Sequence, residues 1–169
     1  KDGKSLVRAG DNRYHAIFLT DGDALFVNPS SLAPALIALG AKATVQGPKG
    51  ERTIPVADLY RVPKTAQERE LTLQHGAVLT KVTIPATKAK NASVEARQKQ
   101  SHDWPLALAS AVLELDGDRV SSARVVLGAV APIPLRSEAA EKAITGKAVT
   151  LDSAAAAAEA AVRDAKPLS

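Results

Sequence analysis

Residues 101–104 read SHDW: a serine, a histidine and a carboxylate beside the chain's single tryptophan. A hydroxyl, an imidazole and a carboxylate are the parts of a hydrolytic proton relay, but such triads are assembled across space by groups that face one another. Adjacent residues point apart, so Ser101, His102 and Asp103 make no relay by adjacency alone. His15 and His75 stand far from His102 and from each other, without the spacing of metal ligands. The sequence has no cysteine, which removes thiolate nucleophiles, disulfides and thiolate-held metal or iron–sulfur centres from these residues. It also carries no Walker loop, dinucleotide-binding glycine fingerprint, zinc-protease motif or nucleophile elbow. Trp104 remains. An indole is a flat apolar plate with one N–H donor, suited to a core or to the face of a planar ligand. The residues alone leave both open.

The elements that must position these groups belong to an ordinary folded chain. Its 169 residues are 46% hydrophobic and 24% charged, enough for one domain or two small ones and unlike a disordered segment. The net charge of +4 is scattered, with no basic stripe interleaved with aromatics, so nucleic-acid binding is not expected. No apolar run approaches the ~18–20 residues that span a bilayer, so no membrane span is expected. The first ten residues, KDGKSLVRAG, have no signal-peptide core. A cytoplasmic location is expected, or a periplasmic one if a partner chain carries the export signal. Methionine is absent even at position 1, so the chain is expected to be a fragment.

ALFVN (24–28) reads as a short buried strand ending at Pro29. Ser30 or Ser31 can cap a following helix that contains Leu32, Leu36, Ile37 and Leu39 and stops at Gly40. AKATVQ and ERTIPV flank GPKG as a hairpin, and AVLTKVTIP is a further strand. The polar stretch TKAKNA marks the expected domain boundary, giving units 1–88 and 89–169. Beyond it, SVEARQKQ reads as a half-exposed strand. LALASAVLEL and RVSSARVVLG form a hairpin about DGD, and the prolines of APIPLR break the sheet. Ser137 starts one helix that ends at Gly146. Asp152 or Ser153 caps an alanine-rich last one, stopped by Pro167. The fold class is α+β: a small sheet with a helix, then three antiparallel strands followed by two helices.

Six segments in order carry a resemblance: GDNRYHAIF (10–18), NPSSLAPALIALGAK (28–42), GERTIPVADLY (50–60), LTKVTIP (79–85), RQKQSHDWPLALASAVLEL (97–115) and VVLGAVAPIPLRSEAAEKAITGK (125–147). The series resembles the FAD-binding medium subunit of the molybdenum hydroxylases, the xanthine dehydrogenase, aldehyde oxidoreductase and carbon monoxide dehydrogenase family. The resemblance implies the second half of a PCMH-type FAD-binding domain followed by a carbon monoxide dehydrogenase flavoprotein C-terminal-like domain. It implies FAD as cofactor, with molybdopterin and [2Fe–2S] centres in partner subunits: a molybdenum-binding large subunit and an iron–sulfur small subunit. Electrons would pass from the iron–sulfur centres through FAD to an acceptor, with no catalytic acid or base in this chain. The family's glycine-rich diphosphate loops lie upstream of GDNRYHAIF and are not among these residues, so FAD held by this chain alone is expected to be weakly retained. The alternative is a non-catalytic scaffold that docks the molybdenum and iron–sulfur subunits.

The resemblance also proposes cofactor-binding residues. Ser31 stands where relatives often carry an aspartate near FAD, and it reads equally as a helix cap. Leu79 matches a pocket-lining position, and it reads equally as core. Ala107 stands where some relatives place a lysine, so that contact is not carried over. Asp103 and Trp104 match an acid followed by an aromatic or apolar residue, the aromatic lying across the isoalloxazine in some members. Pro105 would stiffen the approach. Tyr14 and His15 are expected to be structural, and Gly128 and Pro132 to set a tight turn.

Overall fold

The computed structural model describes residues 6–65, 67–99 and 103–168. Its first sheet is built on a hairpin, β1 (Lys42–Gly47) and β2 (Gly50–Pro55), closed by Pro48 and Lys49 as the sequence predicts. Strand β3 (Val78–Thr83) pairs with the other edge of β1, giving the order β2-β1-β3, antiparallel throughout. The central strand buries Ala43, Thr44 and Val45 in succession, which fits a strand covered on both faces. These residues pack with Ala41, Val56 and Leu59, the last two from the 3-10 turn Val56–Leu59. Strand β3 is exposed at every position.

The second sheet has the order β4-β5-β6-β7, again antiparallel, from β4 (Lys90–Ala96), β5 (Ala107–Asp116), β6 (Arg119–Gly128) and β7 (Leu135–Arg136). Gly117 at φ +61° opens the two-residue loop between β5 and β6, the backbone that a type II′ hairpin requires. Three long strands were expected, and a two-residue fourth is added. The prolines of APIPLR end β6, and the chain then returns far enough for Leu135 and Arg136 to pair with Leu127 and Val126. β4 begins three residues earlier than predicted, inside the polar stretch, because pairing with β5 outweighs weak local propensity.

Helices α3 (Glu138–Ile144) and α4 (Leu151–Val162) cover one face of this sheet, where Ala140, Ile144 and Ala157 meet Val120 and Ala123. Ser137 Oγ accepts from the Ala140 N–H, the expected cap. The cap of α4 is Thr150, ahead of the predicted Asp152 or Ser153: Thr150 and Ser153 satisfy each other's backbone N–H in a capping box. The alanine run gives α4 a thin contact face, through which Ala157 and Ala160 are buried. Beneath α3, Glu141 accepts from the Val125 N–H and from both Nε and NH2 of Arg136, tying helix to sheet.

The N-terminal segment holds the two sheets together. Helix α2 (Ala33–Ala38) lies on β5 and β6, with Ala38 against Val112 and Val126. The expected serine cap is not formed: the N-cap position is Leu32, which makes no side-chain cap bond, and Ser30, two residues ahead of it, accepts from the Ala33 N–H through Oγ at 3.0 Å. The predicted strand 24–28 is absent. Ala24 and Leu25 are buried, but the segment is an extended strap that takes single bonds, as from the Asn28 N–H to the Ala131 carbonyl at 2.9 Å. An apolar run reports burial and extension without guaranteeing a ladder partner. The short helix α1 (Leu6–Ala9) was not foreseen.

Candidate functional site

Trp104 is 70% exposed, so it is not a core plug. Its presentation follows from the carboxylate before it. Asp103 accepts from the Lys99 N–H through Oδ2 and from the Trp104 N–H through Oδ1, both at 3.0 Å. These bonds tie Asp103 to the backbone at Lys99 and at Trp104, just ahead of β5. Pro105 is buried beneath it, and the Leu106 N–H donates to the Ala96 carbonyl at 2.8 Å, so the chain is fixed on both sides of the indole. Ser101 and His102 lie outside the described residues.

The indole borders a cavity of about 690 Å³, within the usual range of small-molecule sites. Its walls come from separate stretches: residues 13–15 with Ile17, the strap at Val27 and Pro29, Gln98 with residues 103–107, and the bend at Ala129 and Val130. The Ile17 and Phe18 N–H groups donate to the Val130 carbonyl at 2.9 and 3.1 Å, which sets the first wall against the last. Ala129 sits at φ +60°, a left-handed conformation that costs a non-glycine residue about 1 kcal/mol or more. The cavity wall therefore includes strained backbone.

A second ring, Tyr14, 52% exposed, also lines the cavity. Gln98 Nε2 donates to its hydroxyl at 2.6 Å, and the Arg13 guanidinium carbon lies 5.7 Å from its ring centroid. Arg13 is itself gripped by Asp11 through two nitrogens, and that pairing holds the Asp11 carboxyl down at about 2. This string of contacts limits where the phenol can swing. His15 also lines the cavity, and its Nδ1 is buried with no hydrogen-bond partner among the described residues. Tyr14 and His15 were expected to be structural. Both line this cavity, for which the sequence offered only the weak signal of two ring side chains in succession.

Of the four residues proposed for the cofactor, the fold brings Asp103 and Trp104 to this cavity and leaves Ser31 and Leu79 off its walls. Ser31 is half-buried beside Glu95, whose carboxyl is lowered first by its pairing with Arg97 and then by the Ser31 hydroxyl. Leu79 is 41% exposed on β3, opposite Val45. A second depression, about 410 Å³, lies between residues 17–21, β7 and the end of α4, but its arginine, Arg136, is committed to Glu141. Among the described residues there is no group of three or more metal-ligating side chains, and no helix is long and apolar enough to cross a membrane.

Two exposed rings, a largely apolar wall and an imidazole suit a flat heteroaromatic ligand with a polar edge. That chemistry meets what comparison with known proteins returns. Residues 24–87 match the family model described as FAD binding domain in molybdopterin dehydrogenase. Residues 90–169 match the CO dehydrogenase flavoprotein C-terminal domain. The carbon monoxide dehydrogenase medium chain of Hydrogenophaga pseudoflava is 30% identical over 148 residues, 86% of this chain and 50% of that one. The FAD-binding subunit of an aldehyde oxidoreductase from Escherichia coli is 32% identical over 78% of this chain and 41% of its own. Among solved structures, carbon monoxide dehydrogenase from Hydrogenophaga pseudoflava superposes with a TM-score of 0.71 at 30% identity, covering 95% of this chain and 50% of that one. Quinoline 2-oxidoreductase from Pseudomonas putida 86 gives 0.72 at 27% identity over 83% and 47%. The chain thus spans about half the length of the curated relatives it matches.

Proposed function

Because this chain belongs to the FAD-binding flavoproteins of the molybdenum hydroxylase family, we propose that it forms part of the FAD-binding subunit of a molybdopterin-dependent hydroxylase. Its task in that reading is electron transfer. Electrons arrive from [2Fe–2S] centres in a small subunit, which receives them from substrate oxidation at molybdopterin in a large subunit, and leave for an external acceptor. Residues 1–88 contribute the C-terminal portion of the FAD-binding domain, and residues 89–169 the flavoprotein C-terminal domain. We keep the cytoplasm as its compartment, the periplasm following only if a partner chain carries an export signal. Fractionation of the native complex distinguishes the two.

The observation that carries the reading is the cavity walled by an exposed indole, an exposed phenol and the imidazole of His15. FAD, when bound, would supply a carrier that takes up electrons one at a time and can pass them on singly or in pairs. The work of the protein is then binding, orientation and exclusion of water. Trp104 offers a flat apolar surface to one side of a ring, and Asp103 holds the turn that presents it. Tyr14, fixed through Gln98, limits the opening. Ser31 and Leu79 stay in the proposal as contacts toward other parts of the cofactor. No group here is asked to act as a catalytic acid or base.

The absorbance spectrum of the purified native complex, read with the masses of its subunits, tests this. Flavin and iron–sulfur bands together with three kinds of chain are expected. A homogeneous protein without flavin bands would refute the reading.

A further inference from the structure

His15 lines the cavity, yet one of its two ring nitrogens does not reach it. Nδ1 is enclosed by protein and has no partner among the described residues. A neutral imidazole carries one N–H and one bare acceptor nitrogen, and the surroundings decide which is which. Enclosing an N–H without an acceptor is costlier and rarer than enclosing an acceptor without a donor. The proton therefore belongs on Nε2, the nitrogen left to meet a ligand at the cavity wall. The backbone keeps the ring in place: the His15 N–H donates to the Asn12 carbonyl at 3.0 Å, and the Ala16 N–H to the Leu25 carbonyl at 2.9 Å.

We infer that His15 is a dedicated hydrogen-bond donor to the polar edge of the flavin ring, presenting Nε2–H to one of its pyrimidine carbonyl oxygens. This rests on the FAD reading above and deepens it. The remainder of the cavity wall is largely aliphatic and aromatic, so a donor at this point fixes which edge of a flat ring turns inward. The same bond tunes the ring. Reduction gathers negative charge toward the pyrimidine carbonyl, and a donor already aimed there favours the reduced form without reorganising. His15 is then a binding and tuning residue, and Trp104 a cover for the ring face.

The test uses the assembled complex with His15→Leu and His15→Gln. A single net hydrogen bond corresponds to a roughly fivefold to tenfold change in retention. His15→Leu is expected to release FAD that much faster and to move the flavin midpoint potential to a more negative value. His15→Gln, whose amide N–H can reach the same acceptor, is expected to recover part of both. Nitrogen NMR of the wild-type imidazole is expected to show Nε2 protonated and Nδ1 bare. The inference is overturned if Nδ1 carries the proton, if leucine and glutamine behave alike, or if His15→Leu leaves retention and potential unchanged. The last result, found together with a flavin that responds to substitution of Trp104, removes the His15 role alone. A wild-type complex without flavin removes the FAD reading as well.

Discussion

Gly128→Ala probes the packing of α2 on β5 and β6. A Cβ at position 128 would stand 2.8 Å from Pro34 Cγ and 3.2 Å from Leu108 Cδ2. The leucine can turn aside. The proline cannot, because its ring is fully buried in the first turn of α2. Relief must come from moving α2 away from β6, the contact in which Ala38 meets Val126. Overpacking of this kind costs about 1–3 kcal/mol. At about 2–4 °C per kcal/mol for a chain of this size, the melting temperature should fall by roughly 2–12 °C. Urea titration and calorimetry measure the loss, and a double-mutant cycle assigns it. Pro34→Ala removes the opposing atom, so the two substitutions together should cost less than their sum by about 1 kcal/mol or more. A neutral Gly128→Ala, or strict additivity with Pro34→Ala, would refute the claim that this contact sets the spacing.

Other perturbations address the cavity wall and the local devices of the fold. Ala129→Gly should relieve the left-handed strain and raise unfolding stability by about 0.5–1 kcal/mol, read by urea titration. Thr150→Ala should cost about 1 kcal/mol by the same assay through loss of the capping box. Asp11 should titrate at about 2 by carboxyl NMR, and Arg13→Ala should return it to the ordinary carboxylate range. Since the folded value lies below the unfolded one, what this pair stabilises is present above pH about 4 and is lost as pH falls toward 2.

What the sequence made legible was mostly local. GPKG and DGD announce their hairpins because two-residue turns need those residue types, and Ser137 announces its cap. The strap at 24–28 was misread because burial and extension look alike in a strand and in a segment pinned by single bonds. β7 was missed because two residues cannot show a period. At the site, Asp103 and Trp104 were visible through rarity and resemblance. The exposure of the indole was not, because it goes with bonds from the Asp103 carboxylate to the Lys99 and Trp104 N–H groups that no residue pattern announces. Tyr14 and His15 are held at the cavity by the neighbouring Ile17 and Phe18 N–H groups, which donate to the Val130 carbonyl, a long-range pairing that no local pattern encodes.

The central claim is that a flavin ring lies against Trp104, and its emission tests that most directly. Stacking on an indole quenches flavin fluorescence, while an alanine offers no ring to stack on. In the assembled complex at matched FAD content, Trp104→Ala should raise flavin emission several-fold and change the rate of reoxidation by the acceptor. Substrate oxidation at molybdenum in a single turnover should be unaffected. Emission and reoxidation both unchanged in a complex that keeps its full FAD would contradict the account.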